Sequence, residues 1–289
     1  MTYSILSRAE NARASVGGAP YMVIENALPA DYYAALAADF PLSLASGVAS
    51  TSGESVLRCP AEKAMADPQL SPLWRDFLAY HTSQEFFADI VRVWGSAIRA
   101  HYPELAENFG KPLEAFTAGP RRPGGETVAV NYEHDIVLDC QICVNPPVQA
   151  PSTPRGPHLD RQFKLFAALL YFRDLGDLDE GGDLLFYKLA DGAAVKPRPA
   201  KIASQNVIAL DRVRYAPNTL VTFINSPLCI HGVTPRGPTR HPRRYINFLG
   251  ECYSGRNRDG YFATPDPWLN RMALRAERHW RSLKHNFAG

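Results

Sequence analysis

Apolar residues recur with the 3.6-residue spacing of helices in the first half of the chain and with the period of two of strands in the second. Residues 137–144, 165–172, 206–210, 218–225 and 243–249 are short runs rich in β-branched and aromatic side chains, and each predicts a strand. A strand over 180–187 opens with Glu180-Gly181-Gly182-Asp183, and two more begin near Phe116 and over 127–132, linked by the turn-rich stretch 119–125. Earlier, residues 21–28 read as a short strand, and Pro29 opens a helix over 31–40 that Pro41 closes. Helical spacing then runs through 71–102, with Trp74, Phe77, Leu78 and His81 on one face, followed by Phe86, Phe87, Ile90, Val91 and Trp94. That aromatic stripe reads as core. Residues 42–60, rich in Ser, Gly and Thr, read as a connection, with a lid over a barrel mouth as the alternative. Residues 266–283 form an amphipathic pattern with a basic face, which predicts a helix that either buttresses the main sheet or makes a homodimer contact.

Composition narrows the choices. At 289 residues and 46% apolar, the chain suits one large, mainly β domain with flanking helices, an α+β arrangement. The expected division is a helical support region with the lid at 1–115, a β core at 116–253 and a C-terminal helix at 254–289. The net charge of +2 gives no argument for nucleic acid as a partner. No apolar run approaches the roughly 20 residues that span a bilayer, and the first residues carry neither a basic start nor a sustained apolar stretch. The expectation is a cytoplasmic protein. Five cysteines, at 59, 140, 143, 229 and 252, are an odd number at irregular spacing and make a poor disulfide framework. Cys140-Gln-Ile-Cys143 matches a redox or metal motif, but no second pair completes a zinc site, and its flanks read as strand. Cys229, two residues before His231, reads as a small buried hydrophobe.

Candidate chemistry centres on His158-Leu-Asp160, answered downstream by Ile230-His231-Gly232. In extended backbone, residues 158 and 160 point to one side, so both could reach one metal ion. Two imidazoles and a carboxylate grip one face of an octahedral ferrous ion and leave three positions for a co-substrate and oxygen. The bland alternative is a surface His beside a turn-forming Asp. His231 is placed just past the strand 218–225. The run 243–249 opens with two cations, and alternation puts Arg244 with Ile246 and Phe248, so Arg244 is the candidate for a buried cation. A buried guanidinium calls for an anion, and a dicarboxylate chelating the metal at its other end would supply one. A slip of one residue would exchange Arg243 for Arg244. On 137–144, Gln141 and Asn145 share a parity with Cys143 and are candidates for hydrogen bonds to co-substrate or substrate.

Together these elements, over roughly residues 128–253, resemble the Fe(II)- and 2-oxoglutarate-dependent oxygenases, in local style the prolyl-hydroxylase-like branch. The resemblance implies a double-stranded β-helix, or jelly roll, with His158, Asp160 and His231 binding iron and Arg244 holding the distal carboxylate of 2-oxoglutarate. It implies a dioxygenase that uses O2, Fe(II) and 2-oxoglutarate to hydroxylate a C–H bond, releasing succinate and CO2. Halogenating members of the family lack the carboxylate, so Asp160 favours hydroxylation or a related oxidation. The basic stretch between 188 and 218 departs from the simplest family pattern.

The substrate reads as a small molecule, amino acid, peptide or glycan. Arg121, Arg122, Lys196, Arg198, Arg212 and Arg214 either rim a mouth for an anionic substrate or are simply solvated. Two other classes compete: a cupin-type metal enzyme without 2-oxoglutarate, which has no use for a buried cation opposite the metal, and a non-catalytic β-barrel binding module. His81, His101, His134, His241, His279 and His285 have no spacing that marks them as ligands.

Overall fold

The computed structural model describes residues 2–46 apart from 14, 16 and 17, then 56–122, 133–193 apart from 162 and 192, and 201–252. The expected strand at 127–132, residues 47–55 of the expected connection or lid, Lys196, Arg198 and the C-terminal helix lie outside the described residues.

Helices dominate the first part: α1 (Ala30–Ala38), α2 (Leu42–Ser46), α3 (Ala61–Ala66), α4 (Pro72–Tyr80), α5 (Gln84–His101) and α6 (Leu105–Phe109). The helical stretch expected over 71–102 is two helices, because Ser83 breaks it. Ser71 accepts a hydrogen bond from the Trp74 N–H and Ser83 one from the Phe86 N–H, so each hydroxyl caps its own helix. The strands are β1 (Tyr21–Glu25), β2 (Leu57–Cys59), β3 (Ala118–Pro120), β4 (Ile136–Asn145), β5 (Lys164–Tyr171), β6 (Leu184–Leu189), β7 (Val207–Val213), β8 (Thr219–Ile224), β9 (Ile230–Val233) and β10 (Arg243–Glu251). A seven-stranded sheet runs β1-β8-β5-β10-β4-β2 with β3 parallel to β4, and a three-stranded sheet runs β7-β6-β9. The chain is thus mainly β with flanking helices. Among the described residues, no helix is long and apolar enough to cross a membrane.

The large sheet is buried on both faces, which governs everything at the site. One face of β4, β5, β8 and β10 (Ile142, Val144, Phe166, Leu170, Leu220, Ile246, Phe248) packs against α4 and α5 through Trp74, Phe77, Phe86 and Ile90. The other face (Cys143, Ala167, Tyr171, Val221, Phe223, Tyr245, Leu249) meets Leu184, Phe186 and Val213 of the small sheet. Cys140 and Cys143 fall on opposite faces, so they cannot join in a disulfide without moving the strand. Trp94 of α5 donates its indole N–H to the Thr222 hydroxyl on β8, a polar link through an otherwise apolar layer.

His81 sits in that layer among Phe77, Phe86 and Phe248. Its Nδ1 donates to the Phe77 carbonyl at 2.8 Å, and its Nε2 accepts from the Ile5 N–H at 3.1 Å. This neutral imidazole ties the N-terminal segment to α4. Burial lowers its pKa to about 4. The unfolded chain therefore binds a proton near pH 6.5 that the folded chain takes up only near pH 4, and stability falls as pH drops through that window. At pH 4 the loss from this one group amounts to about 3 kcal/mol. Urea unfolding from pH 7.5 to 4.5 should show that acid limb flattened in His81→Gln relative to the parent; parallel limbs would assign the acid sensitivity elsewhere.

Candidate active site

His158 follows a loop, and His231 lies past the end of β8, as its sequence suggested, but inside a further short strand, β9. The two histidines face each other in an antiparallel bridge, with His158 N–H donating to the His231 carbonyl at 2.9 Å and His231 N–H to the His158 carbonyl at 3.0 Å. Phe186 of β6 stands opposite His231 in the small sheet. The His158 and His231 rings lie 4.2 Å apart, and Asp160 Oδ1 is 4.0 Å from His158 Nε2. Ligand atoms of His158, Asp160 and His231 all fall within 4.8 Å of one another.

Each imidazole is oriented by the backbone. His158 Nδ1 donates to the Gly156 carbonyl and His231 Nδ1 to the Cys229 carbonyl, both at 2.9 Å. With the proton held at Nδ1, each Nε2 keeps a lone pair for a metal, the outer-sphere arrangement that metal-binding histidines adopt. Burial, followed by the neighbouring His231 and Arg155, holds His158 well below its usual pKa, and burial lowers His231 as well. Burial alone would push Asp160 up. The Lys164 ammonium, whose Nζ lies 3.0 Å from Asp160 Oδ1, outweighs it together with the imidazoles and Arg155, and the carboxyl is held far below its usual range. Two neutral imidazoles and one carboxylate converging on a point are a donor set that fits a divalent transition metal.

The neighbouring arginines reverse the sequence expectation. Arg243, only 2% exposed, points between the sheets and lines the cavity that contains the three candidate ligands. Arg244 points to the opposite side, donating to the Phe172 carbonyl at 3.0 Å and lying over the Phe40 ring. The apolar company of Ile246 and Phe248 did identify a buried face, but it is the face covered by helices; the inner face is the more polar one, with Tyr245 and Asn247.

Arg243 is enclosed by three tyrosine rings, with its guanidinium carbon 5.0 Å from Tyr171, 5.0 Å from Tyr215 and 4.7 Å from Tyr245. Its Nε donates to the Gly182 carbonyl at 2.7 Å and its Nη1 to Asn145 Oδ1 at 3.3 Å. Nη2 and the Tyr171 hydroxyl are both buried and, among the described residues, neither makes a well-formed hydrogen bond, although the hydroxyl lies beside the Arg243 guanidinium. A buried guanidinium N–H without an oxygen is costly, so among the described residues the site is short of one acceptor. The Gly181-Gly182 pair makes this possible: both have positive φ, a Cβ on Gly181 would lie 1.8 Å from the Pro235 carbonyl oxygen, and one on Gly182 would crowd Arg243 Cδ at 3.1 Å. Asp183, next in the chain, accepts from the Tyr215 N–H at 2.7 Å and fixes one wall of the cage.

Asn145 therefore belongs to the site through Arg243. Gln141 does not line the cavity; it bonds Asp139 and Asn247. Arg121, expected at a rim, is instead buried in ion pairs with Asp139 and Glu251, while Arg122 pairs with Glu133 and Arg212 with Asp183. Lys164, Arg58, Arg155 and Asn247 complete the lining and carried no motif that would have marked them in the sequence.

No protein-family model matches the chain, and no curated protein matches it. Solved structures do. A prolyl-4-hydroxylase from Pseudomonas putida matches at 16% identity and a TM-score of 0.45, over 81% of this chain and 94% of its own. Prolyl 4-hydroxylases from Phytophthora capsici match at 12% and 0.42, over 81% of this chain, which spans 59% of theirs. A 2OG-Fe(II) oxygenase family oxidoreductase from Burkholderia pseudomallei matches at 14% and 0.40, over 85% of this chain and 89% of its own. Prolyl 4-hydroxylases and 2OG-Fe(II) oxygenases are thus among its structural neighbours.

Gly182→Ala should cost about 1–3 kcal/mol, since it places a side chain at positive φ against Arg243. Thermal unfolding checks this, and an unchanged melting temperature would mean that the Arg243 cage tolerates displacement.

Proposed function

We propose that this chain is an Fe(II)- and 2-oxoglutarate-dependent oxygenase, built on a double-stranded β-helix, that hydroxylates a C–H bond of a small molecule, amino acid, peptide or glycan. The observation that carries this reading is the pairing, in one cavity, of the His158-Asp160-His231 donor set with a buried guanidinium that lacks one hydrogen-bond acceptor. His158 and His231 would hold the metal through Nε2 and Asp160 through its carboxylate. Arg243, rather than Arg244, would take the distal carboxylate of 2-oxoglutarate through Nη2, with the Tyr171 hydroxyl able to donate beside it. Iron bound there supplies oxygen activation coupled to the conversion of 2-oxoglutarate to succinate and CO2.

The protein's own part is electrostatic and steric. Tyr171, Tyr215 and Tyr245 keep water from the guanidinium, which strengthens its grip on a carboxylate. Leu169, Leu184, Phe223 and Val233 make the wall beside the ligands apolar. Lys164 holds Asp160 ionised, so that the carboxylate is ready to bind a cation. A cupin-type enzyme without 2-oxoglutarate would leave Arg243 Nη2 with nothing to bind.

Anaerobic titration with Fe(II) and 2-oxoglutarate tests the reading through the weak visible charge-transfer band of the chelate. The band should need both additions and vanish in His158→Ala. Arg243→Ala should weaken 2-oxoglutarate binding about 100-fold or more, because a buried charge loses its partner. Arg244→Ala should leave that affinity near the parent's. Absence of the band in the parent protein would sink the proposal; loss of affinity in the Arg244 variant alone would return the role to Arg244.

A further inference from the structure

The carboxylate of Asp160 is already answered by a cation of the chain itself. Lys164 opens β5, and its Nζ donates at 3.0 Å to Asp160 Oδ1, the same oxygen that lies 4.0 Å from His158 Nε2. The two side chains are 15% and 7% exposed, so this is an enclosed ion pair that solvent screens little. The backbone beneath it is fixed. Asn225, fully buried just past the end of β8, donates from Nδ2 to the carbonyls of Arg161 and Lys164, both at 2.9 Å, and its own N–H donates to the Leu165 carbonyl at 3.0 Å. The Lys164 N–H donates back to the Arg161 carbonyl at 3.0 Å. Lys164 is thus delivered to Asp160 by a built turn.

His158 and His231 are neutral, each holding its proton at Nδ1, so the three candidate ligands carry one negative charge, which Lys164 cancels. A divalent ion placed among them would leave two positive charges in a nearly dry space, with an ammonium on the very carboxylate that is to bind it. Repulsion between a divalent ion and an ammonium that share one carboxylate outweighs the modest benefit of orienting that carboxylate beforehand. A dicarboxylate bound in the same cavity carries the two negative charges that offset those of the ion.

We infer that Lys164 is a positioning residue, acting through Asp160, that makes retention of a divalent metal at His158, Asp160 and His231 conditional on a bound dicarboxylate. It weakens the hold on an ion that comes alone and ceases to do so when 2-oxoglutarate shares the cavity. This rests on the oxygenase reading above. The coupling is reciprocal, so Lys164 also steepens the metal dependence of 2-oxoglutarate binding.

The test measures the Zn(II) affinity of the full chain by competition with a chromophoric chelator, with and without saturating 2-oxoglutarate, and follows the component lost in His158→Ala. Lys164→Gln, which keeps a side-chain donor without the charge, and Lys164→Met should each bind Zn(II) about tenfold tighter than the parent when 2-oxoglutarate is absent. With 2-oxoglutarate present the gap should close to about threefold or less. A side chain that merely supported the fold would give the opposite sign, because its loss would loosen the site. Lys164→Arg, which keeps the charge, should stay near the parent. The rise in melting temperature at one fixed Zn(II) concentration reads the same order independently and covers a variant that is only marginally folded without metal. Unchanged or weakened affinity in both the Gln and the Met variants, equal tightening in Lys164→Arg, or a gap undiminished by 2-oxoglutarate overturns the inference. A parent protein that binds Zn(II) and 2-oxoglutarate but shows no effect of Lys164 loses only this inference, whereas one in which His158→Ala removes no Zn(II) site loses the oxygenase reading with it.

Discussion

The register of β10 between β4 and β5 is the constraint on which the rest of the molecule depends. Both neighbours are antiparallel to it, with Arg243 opposite Asn145 and Tyr245 opposite both Cys143 and Tyr171. Because side chains alternate, this pairing sends Arg243, Tyr245 and Asn247 inward and Arg244, Ile246 and Phe248 outward as two indivisible sets. The inner set supplies the cation, a wall of its cage and the amide near the candidate metal ligands. The outer set supplies the apolar surface that holds α4 and α5. The candidate site and the surface that holds the helices are thus built from opposite faces of one strand, and neither can be retuned by sliding it.

The cage around Arg243 shows how a cation is kept in a nearly dry interior. Aromatic faces and two neutral oxygens answer most of the guanidinium, a planar group that can stack and donate at once. Lysine could not use these surfaces in the same way. The carbonyl of Gly182 reaches Arg243 only because the chain turns through two residues at positive φ, so the Gly-Gly pair belongs to the site although it contributes no side chain.

Much of this was legible in the sequence. The longer strands announced themselves by period and composition, and His158, Asp160 and His231 were singled out by residue type and spacing. Four features were not legible, for physical reasons. β2 and β9 are three and four residues long, too short for alternation to register. The break between α4 and α5 depends on one serine hydroxyl within an otherwise continuous apolar stripe. The choice between Arg243 and Arg244 failed because apolar neighbours mark burial, and here both faces of β10 are buried. The direction of the Gln141 and Asn247 amides required the carboxylate of Asp139, which no local pattern joins to them.

The bridge between His158 and His231 sets the width of the candidate metal site. The two residues exchange backbone hydrogen bonds, so the separation of their α-carbons is a repeat distance of antiparallel pairing and not an adjustable property of loops. Both rings are then pinned at Nδ1. The imidazole pair therefore behaves as a calliper with fixed jaws, and adaptation to ions of different radius would fall to the one candidate ligand outside any strand or bridge, Asp160. Ion selection would thus be written in Leu159, Asp160 and Arg161, which follow His158 in the chain.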